Sequence, residues 1–384
     1  MSQRRKAAEG KFRLPVRQSS SAVRVWSWQG AWLMFWGKSK RLVGLDIGSS
    51  SVKAVELARK GADYELVSLG LEPLGQDVVV DGSIMDALMV SSAIKRVVAE
   101  NKIKVKEVAT SVSGHSVIVK RITLSAEGDS EVAAAIPYEA QQHIPFDVSD
   151  VNLSYQVMGP APGGSGTEVM MVAAKREKIL NHTNVLSQAG RVPYIVDIDA
   201  LALQNAFEVN YEPAPGALVA LLNIGASTMN INIVRDGTPL FTRDVSVGGN
   251  QYTDTLQKEL DLSFDDAELL KQGRSLPNIS ADAAKPHLRS VSDILLLEIQ
   301  KTFDFFRQTT SPENIQAIYL AGGSAKVEGL LELLKGEFNV PIEMMDPFRR
   351  VSVDPSRYDV GYTAEVAPRL CVAMGLALRS FDAP

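Results

Sequence analysis

Two stretches of this chain repeat one another, and that repetition limits what it can fold into more than any other feature. Residues 42–57, LVGLDIGSSSVKAVEL, run as an apolar strand (Leu42, Val43, Leu45, Ile47), break at Gly48 and three serines, Ser49, Ser50 and Ser51, and resume as a second β-rich run from Val52. Small residues between two such runs predict a hairpin with a tight turn. A turn of this kind aims successive backbone N–H groups into one concavity, which suits a phosphate, and Asp46 beside it can hold Mg2+ through water. Lys53 follows Asp46 by seven positions, and the fold-back brings its ammonium toward the same phosphates as a mobile positive charge. A single strand, turn and strand is commonplace; the second copy changes its meaning. LVALLNIGASTMNINIV, at residues 218–234, sets Asn223 under Asp46, Gly225 under Gly48, and Ser227 and Thr228 under Ser50 and Ser51. Two copies of one phosphate hairpin predict two similar lobes facing a shared cleft.

At 384 residues the chain has length for two or more domains with full cores. Its 45% hydrophobic and 22% charged content is that of an ordinary globular protein. One cysteine, Cys371, excludes an internal disulfide framework and fits a reducing compartment. No histidine lies near it in sequence, so it reads as a buried structural thiol. His115, His143, His182 and His287 lack metal-ligand spacing. The net charge of −5 divides unevenly, with +8 on residues 1–40 and −13 on the rest, which argues against nucleic-acid binding by the body of the chain. No run reaches the roughly 18 apolar residues of a membrane-spanning helix. Residues 1–40 also hold all four tryptophans, Trp26, Trp28, Trp32 and Trp36. Three readings stay open for them: an interfacial membrane anchor, a secretory signal, weakened by Gln29 and the lack of a small-residue cleavage site, and a true start at Met34. In each case residues 1 to about 36 are expected to be disordered or absent in a folded structure.

Along the body, apolar spacing predicts a helix over 83–100, a strand pair over 105–124, a helix over about 129–142, strands at 152–158 and 168–174, and a helix ending near 188. Residues 94–191 read as an αβ subdomain inserted into a first lobe of residues 41–209. Ile144, Pro145 and Phe146 end a helix there, and packing of that subdomain is favoured for them over a binding surface. Asp197 and Asp199 stand at the mouth of the next helix. A second lobe covers 210–354. It contains the Gly248–Gly249 turn before a helix that Thr253 could cap, a polar helical stretch over 262–284, and a long helix over 291–307 bearing Glu298 and Lys301. A strand at 317–320 then runs into Ala321-Gly322-Gly323-Ser324, with a helix over 326–338. Residues 355–384 close the chain with a helix over 364–381 that returns to the first lobe.

With both hairpins, the acidic connector, the late Gly-Gly turn and the closing helix in this order, the chain resembles the actin-like ATPase superfamily from Arg41 to Arg379. The fold this implies is α/β and two-lobed. Within the superfamily, LVGLDIGSSSVKAVEL, SVSGHSVIVKRI and EAQQHIPFDVSDVNLSYQV resemble the PilM family of bacterial type IV pilus assembly; the FtsA proteins of cell division carry a similar insert. The resemblance implies ATP and Mg2+ as cofactors. It places Asp46 at the metal through water, Gly48, Ser49, Ser50 and Lys53 on the β and γ phosphates, and Gly225, Ser227 and Thr228 opposite them. It sets Gly248, Gly322, Gly323 and Ser324 along the nucleoside, Glu298 and Lys301 near the ribose and base, and Asp199, with Asp197 as second choice, at the attacking water. It also implies a partner, the short cytoplasmic tail of the inner-membrane protein PilN, bound as a peptide near the insert. PilO, PilC and the motor ATPases of the same machine are further implied contacts, and the implied location is cytoplasmic, at the inner membrane through partners.

One departure from the superfamily pattern matters. Asn223 stands where Asp is usual, and it keeps a carbonyl for a metal-bound water without the negative charge, so it is a weaker metal-side group. The expectation is a chain that binds ATP and hydrolyses it slowly or not at all, as a clamp between lobes. Three functions compete: a nucleotide-gated pilus adaptor, an FtsA-like division protein, and a small-molecule kinase. The sequence up to Pro384 shows no C-terminal amphipathic segment, which weighs against the second. No acceptor pocket is evident for the third, and a shared fold does not confer a shared reaction.

Overall fold

The computed structural model describes residues 41–381 other than 127, 162, 163 and 165. The readings offered for residues 1–40 lie outside the described residues. The chain opens with an antiparallel meander of β1 (Val43–Ile47), β2 (Ser51–Lys60) and β3 (Asp63–Pro73), followed by a short ribbon, β4 (Val79–Val80) and β5 (Ser83–Ile84). α1 (Ala87–Glu100) starts four residues later than the periodicity indicated, because Asp86 accepts the Met89 N–H and caps it, leaving Ser83 and Ile84 to the ribbon. β6 (Glu107–Val112), β7 (Val117–Leu124), α2 (Asp129–His143), β8 (Val151–Pro160), β9 (Thr167–Lys175), α3 (Arg176–Gln188), β10 (Val192–Ile198) and α4 (Asp199–Asn210) follow.

The second half repeats the opening. β11 (Leu218–Ile224), β12 (Met229–Arg235) and β13 (Thr238–Val245) form another meander, and α5 (Gly249–Leu260), α6 (Phe264–Lys271) and α7 (Lys285–Thr309) precede β14 (Ala317–Ala321). Where a helix over 262–284 was expected, only α6 forms before a 3-10 turn at Ala281–Ala284, and α7 begins six residues earlier than read, with Pro286 in its first turn, where a missing N–H costs nothing. α8 (Leu330–Glu337) is shorter than read, because Gly329 takes a left-handed conformation that ends the preceding 3-10 turn and bend. β15 (Ile342–Met344), β16 (Val351–Ser352), α9 (Val360–Val366) and α10 (Cys371–Ala377) complete the chain. The closing helix is thus two helices, since Pro368 lacks the N–H a continuous helix needs and sits in a 3-10 turn.

Two sheets carry the architecture. One has the order β10-β6-β1-β2-β3-β16 and the other β13-β12-β11-β14-β15, so each has a three-strand meander flanked on the side of its first strand by two parallel strands. The sequence repeat is therefore a repeat of topology. A third sheet, β7-β9-β8, packs Ile122, Leu124, Val169 and Met171 against Val132 and Ile136 of α2. Ile144 and Phe146 pack on that core, and Lys175 lies 4.4 Å from the Phe146 ring centre. This unit is narrower than the inserted 94–191 read from sequence. β6 pairs with β1 and β10, and α1 and α3 pack on the first sheet, so only 117–175 stand apart. Similarly β16 pairs with β3, so the chain rejoins the first sheet at Val351.

α4 and α10 lie between the two large sheets. Leu203, Phe207 and Tyr211 of α4 and its C-terminus pack with Leu221 and Ala321 of the second sheet, while Ala373, Met374 and Ala377 of α10 pack on Val55 and Leu57 of the first. The approach is close because the contacts are small: a Cβ on Gly375 would collide with the Ala202 carbonyl. Buried Arg379 donates its Nε–H to Asp197 Oδ2 at 2.6 Å, and Ser380 Oγ accepts the Leu42 N–H at 2.9 Å, tying the closing segment to β10 and β1. Gly375→Ala should therefore lower stability by ~1–3 kcal/mol or more, read as a fall in the thermal midpoint. An unchanged midpoint would show that α4 and α10 separate at no cost.

Candidate functional site

Each hairpin is closed by the same bond: the Gly48 N–H donates to the Ser51 carbonyl at 3.1 Å, and the Gly225 N–H to the Thr228 carbonyl at 2.9 Å. The two turns face one another. The Ser49 and Ser227 hydroxyls are hydrogen bonded across the gap between the sheets. Among the described residues, no protein acceptor takes the amide N–H of Ser49, Ser50, Ala226 or Ser227, which leaves donors of the kind an anion needs. A side chain at Gly48 would fill the space, because its Cβ would lie 2.7 Å from Lys53 Nζ.

Register explains what flanks the turns. Asp46 stands directly opposite Lys53 across β1 and β2, and Lys53 Nζ donates to Asp46 Oδ2 at 2.9 Å. Both are buried, so Lys53 is held beside the turn, where the sequence reading expected a mobile charge. The equivalent pair in the second hairpin is Asn223 opposite Asn230, where Asn223 Nδ2 donates to Asn230 Oδ1 at 2.8 Å. One turn therefore carries an ion pair beneath it and the other a neutral amide pair.

Two further turns close on the second hairpin. The Gly225 carbonyl accepts both the Gly249 N–H at 2.9 Å and Ser324 Oγ–H at 2.8 Å, while the Ala226 carbonyl accepts the Asn250 N–H at 2.7 Å. This brings Gly248 and Ser324 against Gly225. Gly322, at φ 89°, donates its N–H to the Pro368 carbonyl and has no room for a Cβ beside the Ile224 backbone. Gly323 faces the Arg369 side chain.

Glu298 and Lys301 are placed elsewhere. They pair with one another at 2.7 Å and Glu298 with Arg243 at 3.6 Å; among the described residues no hydrogen bond or ion pair joins either to these turns. Their spacing was that of an ion pair on one helix face, and that is what they form. The charged groups beside Gly249 are instead Lys271 and Glu268. Lys271 Nζ donates to Thr253 Oγ1 at 2.8 Å, to the Gly249 carbonyl at 3.3 Å and to Glu268, and Thr253 also donates to Glu268. Thr253 thus anchors this cluster, while Gly248 occupies the N-cap of α5. Burial pushes the Lys271 ammonium down, with Glu268 opposing. Sequence spacing missed both because α6 reaches α5 only in the folded lobe.

On the first-lobe side, Asp199 begins α4 and is half-buried. Burial, and then Asp46 and Asp244 nearby, push its carboxyl up to about 6, while the Ser111 and Ser113 hydroxyls pull the other way. Asp197 is committed to Arg379 and does not share this environment. Lys178 of α3, unmarked by any sequence motif, donates to the Ser113 carbonyl and, at 3.4 Å, to that of Asp81. Burial lowers its pKa and Asp199, Asp244 and Asp81 raise it. Cys371 is buried and burial pushes its thiol up, consistent with a structural role. Buried His182, held down to about 4, bonds to the Lys178 carbonyl.

Two sheets of matching order, with paired glycine turns meeting over a gap, define a two-lobed actin-like protein. The structure of ethanolamine utilization protein EutJ from Carboxydothermus hydrogenoformans shares this fold at a TM-score of 0.52 and 15% identity, covering 88% of this chain and 89% of that one. The profile of the family described as type IV pilus assembly protein PilM matches residues 44–381, and the chain belongs to that family. A solved PilM-PilN type IV pilus biogenesis complex contains a chain that is 28% identical, with a TM-score of 0.80 over 89% of this chain and 99% of its own. The cell division protein FtsA of Streptococcus pneumoniae is 24% identical over 356 residues, 79% of this chain and 75% of FtsA.

The Asp199 environment sets a pH dependence. Its folded value of about 6 exceeds the ordinary 3.8, so the folded chain holds this proton more tightly than the unfolded one. The associated stability is full below pH 3.8 and lost as pH rises through about 6. Asp199→Asn should then match wild type near pH 4 and exceed it near pH 7.5 by up to ~3 kcal/mol, as read by urea unfolding. An equal difference at both values would remove Asp199 as the titrating group.

Proposed function

We propose that this actin-like protein of type IV pilus assembly binds ATP with Mg2+ between its lobes and uses the nucleotide as a gate for a peptide partner. The meeting of the Gly48 and Gly225 turns through Ser49 and Ser227 is the observation that carries this reading. Uncommitted turn amides would take the phosphates, with Lys53 held alongside by Asp46. Among the described residues no group of three or more His, Cys, Asp or Glu could hold a metal unaided. Mg2+ in nucleotide sites is commonly carried by the phosphates with one or two carboxylates and water, and Asp46 fits that part, with Asn223 as a weak second. Gly248, Gly322, Gly323 and Ser324 would border the nucleoside, and Lys271, Glu268 and Arg369 are better placed than Glu298 and Lys301 to meet ribose or base. Asp199 would orient the attacking water. The neutral Asn223 holds metal and water less firmly than a carboxylate would, so hydrolysis is slow or absent.

The partner inferred is the cytoplasmic tail of a PilN protein, and the solved PilM-PilN complex that contains a similar chain supports this choice of partner. A cleft of about 750 Å3 lies between β7 and β13, bordered by Gly114, Ile118, Lys120, Met170, Phe241 and Thr310. Each of these strands is the outermost of its sheet, so each has a free backbone edge to which an extended tail could add. No helix among the described residues is long and apolar enough to cross a membrane, and in this reading the partner supplies the inner-membrane attachment.

Titration with a fluorescent ATP analogue and a phosphate-release assay test the first part. Asp46→Ala should weaken nucleotide binding by at least ~10-fold, and Asn223→Asp should raise turnover while affinity changes little. Unchanged turnover in Asn223→Asp would remove the charge argument, and a wild-type chain that binds no adenine nucleotide would remove the gate. Co-purification with the tail peptide, with and without MgATP, tests the partner.

A further inference from the structure

Asn223, Asn230 and Asp244 form one row across the second sheet. Asn223 lies opposite Asn230 on β11 and β12, and Asn230 lies opposite Asp244 on β12 and β13. Their side chains are joined in sequence: Asn223 Nδ2 donates to Asn230 Oδ1 at 2.8 Å, and Asn230 Nδ2 donates to Asp244 Oδ1 at 2.8 Å. The other oxygen, Asp244 Oδ2, leaves the sheet and accepts the backbone N–H of Gly114 at 2.5 Å. Gly114 takes φ 85° in the turn that launches β7, and its own carbonyl accepts the Val117 N–H at 2.9 Å. The next residue repeats the crossing, with His115 Nε2 3.0 Å from Ser246 Oγ. Lys178 holds the same turn from its other side through the Ser113 carbonyl.

We propose that Asp244 is a positioning residue that transmits the state of the nucleotide gap to the β7 edge. Its two oxygens serve two bodies: one takes the amide row that begins beside the Gly225 turn, the other the first-lobe turn that sets where β7 starts. A carboxylate accepting two bonds is stronger in each than a neutral acceptor, and moving one donor re-aims the group for the other. If the Asn223 amide turned toward a bound nucleotide, Asn230 would follow it, then Asp244, then the Gly114 turn. The edge strand that borders the proposed peptide cleft moves with it. This inference rests on the ATP-gate reading and gives it a physical route. An energetic coupling of the usual size would change peptide affinity by about 5–150-fold between nucleotide states.

Amide hydrogen exchange over residues 114–124, with and without saturating MgATP, tests the route, with nucleotide binding titrated on the same samples. Wild type should show slower exchange in this segment when MgATP is bound. Asp244→Asn keeps the shape but has one carbonyl oxygen, so it can accept from Asn230 or from Gly114 and not from both. It should bind MgATP within about threefold of wild type, a difference worth under ~1 kcal/mol, and show no exchange change over 114–124. Asn230→Ala breaks the row one step earlier and should give the same loss, which covers the case in which Asp244→Asn does not fold. Either variant keeping the wild-type response overturns the proposal, as does a wild-type chain that binds MgATP without any change in this segment. Absence of MgATP binding by wild type overturns the gate reading itself and this route with it.

Discussion

The structure depends on bringing two backbone turns within a hydroxyl's reach of one another. Ser49 and Ser227 meet only because α4 and α10 hold the two large sheets together at close range, and they do so through small residues such as Ala202, Ala373 and Gly375. Bulkier packing there would move the turns apart by the width of a side chain. The gap would then be too wide for the Ser49 and Ser227 hydroxyls to meet. Core packing and site geometry are in this sense a single constraint, with the buried Asp197–Arg379 pair and the Ser380–Leu42 bonds fastening the closing segment that enforces it.

The two halves share topology but not electrostatics. At equivalent register positions the first hairpin carries Asp46 with Lys53 and the second Asn223 with Asn230. A buried ion pair costs desolvation that its own attraction and hydrogen bonds must offset. The amide pair costs less and can pass hydrogen bonds in both directions, since each amide is donor and acceptor. In the proposed reading, that difference would suit the first turn to phosphates and metal and the second to responding to them. The proximity of Asp199, Asp244 and Lys178 adds a titratable group to the same gap, and burial among like charges is what raises the Asp199 carboxyl.

The third sheet is a separate body joined to the first sheet by β6, α3 and short connections, and touching the second lobe through Gly114 and His115. It is therefore placed to follow any change in the gap. Its edge strand and that of the second lobe border one cleft.

Sequence alone determined the two hairpins, their shared pattern and the family resemblance, because strand periodicity and small-residue turns act over a few adjacent positions. It likewise marked Gly48, Gly225, Gly248, Gly322, Ser324 and Asp199, each of which sits at a turn or helix start whose local chemistry is visible in the residues. It misplaced Glu298 and Lys301, which have the same i, i+3 spacing whether they face a ligand or solvent. It also drew the inserted unit too wide, because a strand such as β6 looks the same whichever sheet it joins. Only tertiary structure decided that Lys53 is pinned to Asp46, that Lys271 and Glu268 meet Thr253 and Lys178 the Ser113 carbonyl, and that Asp244 bridges the lobes. Those contacts join positions far apart along the chain, and hydrogen bonds between such residues exist only once packing has brought their backbones together.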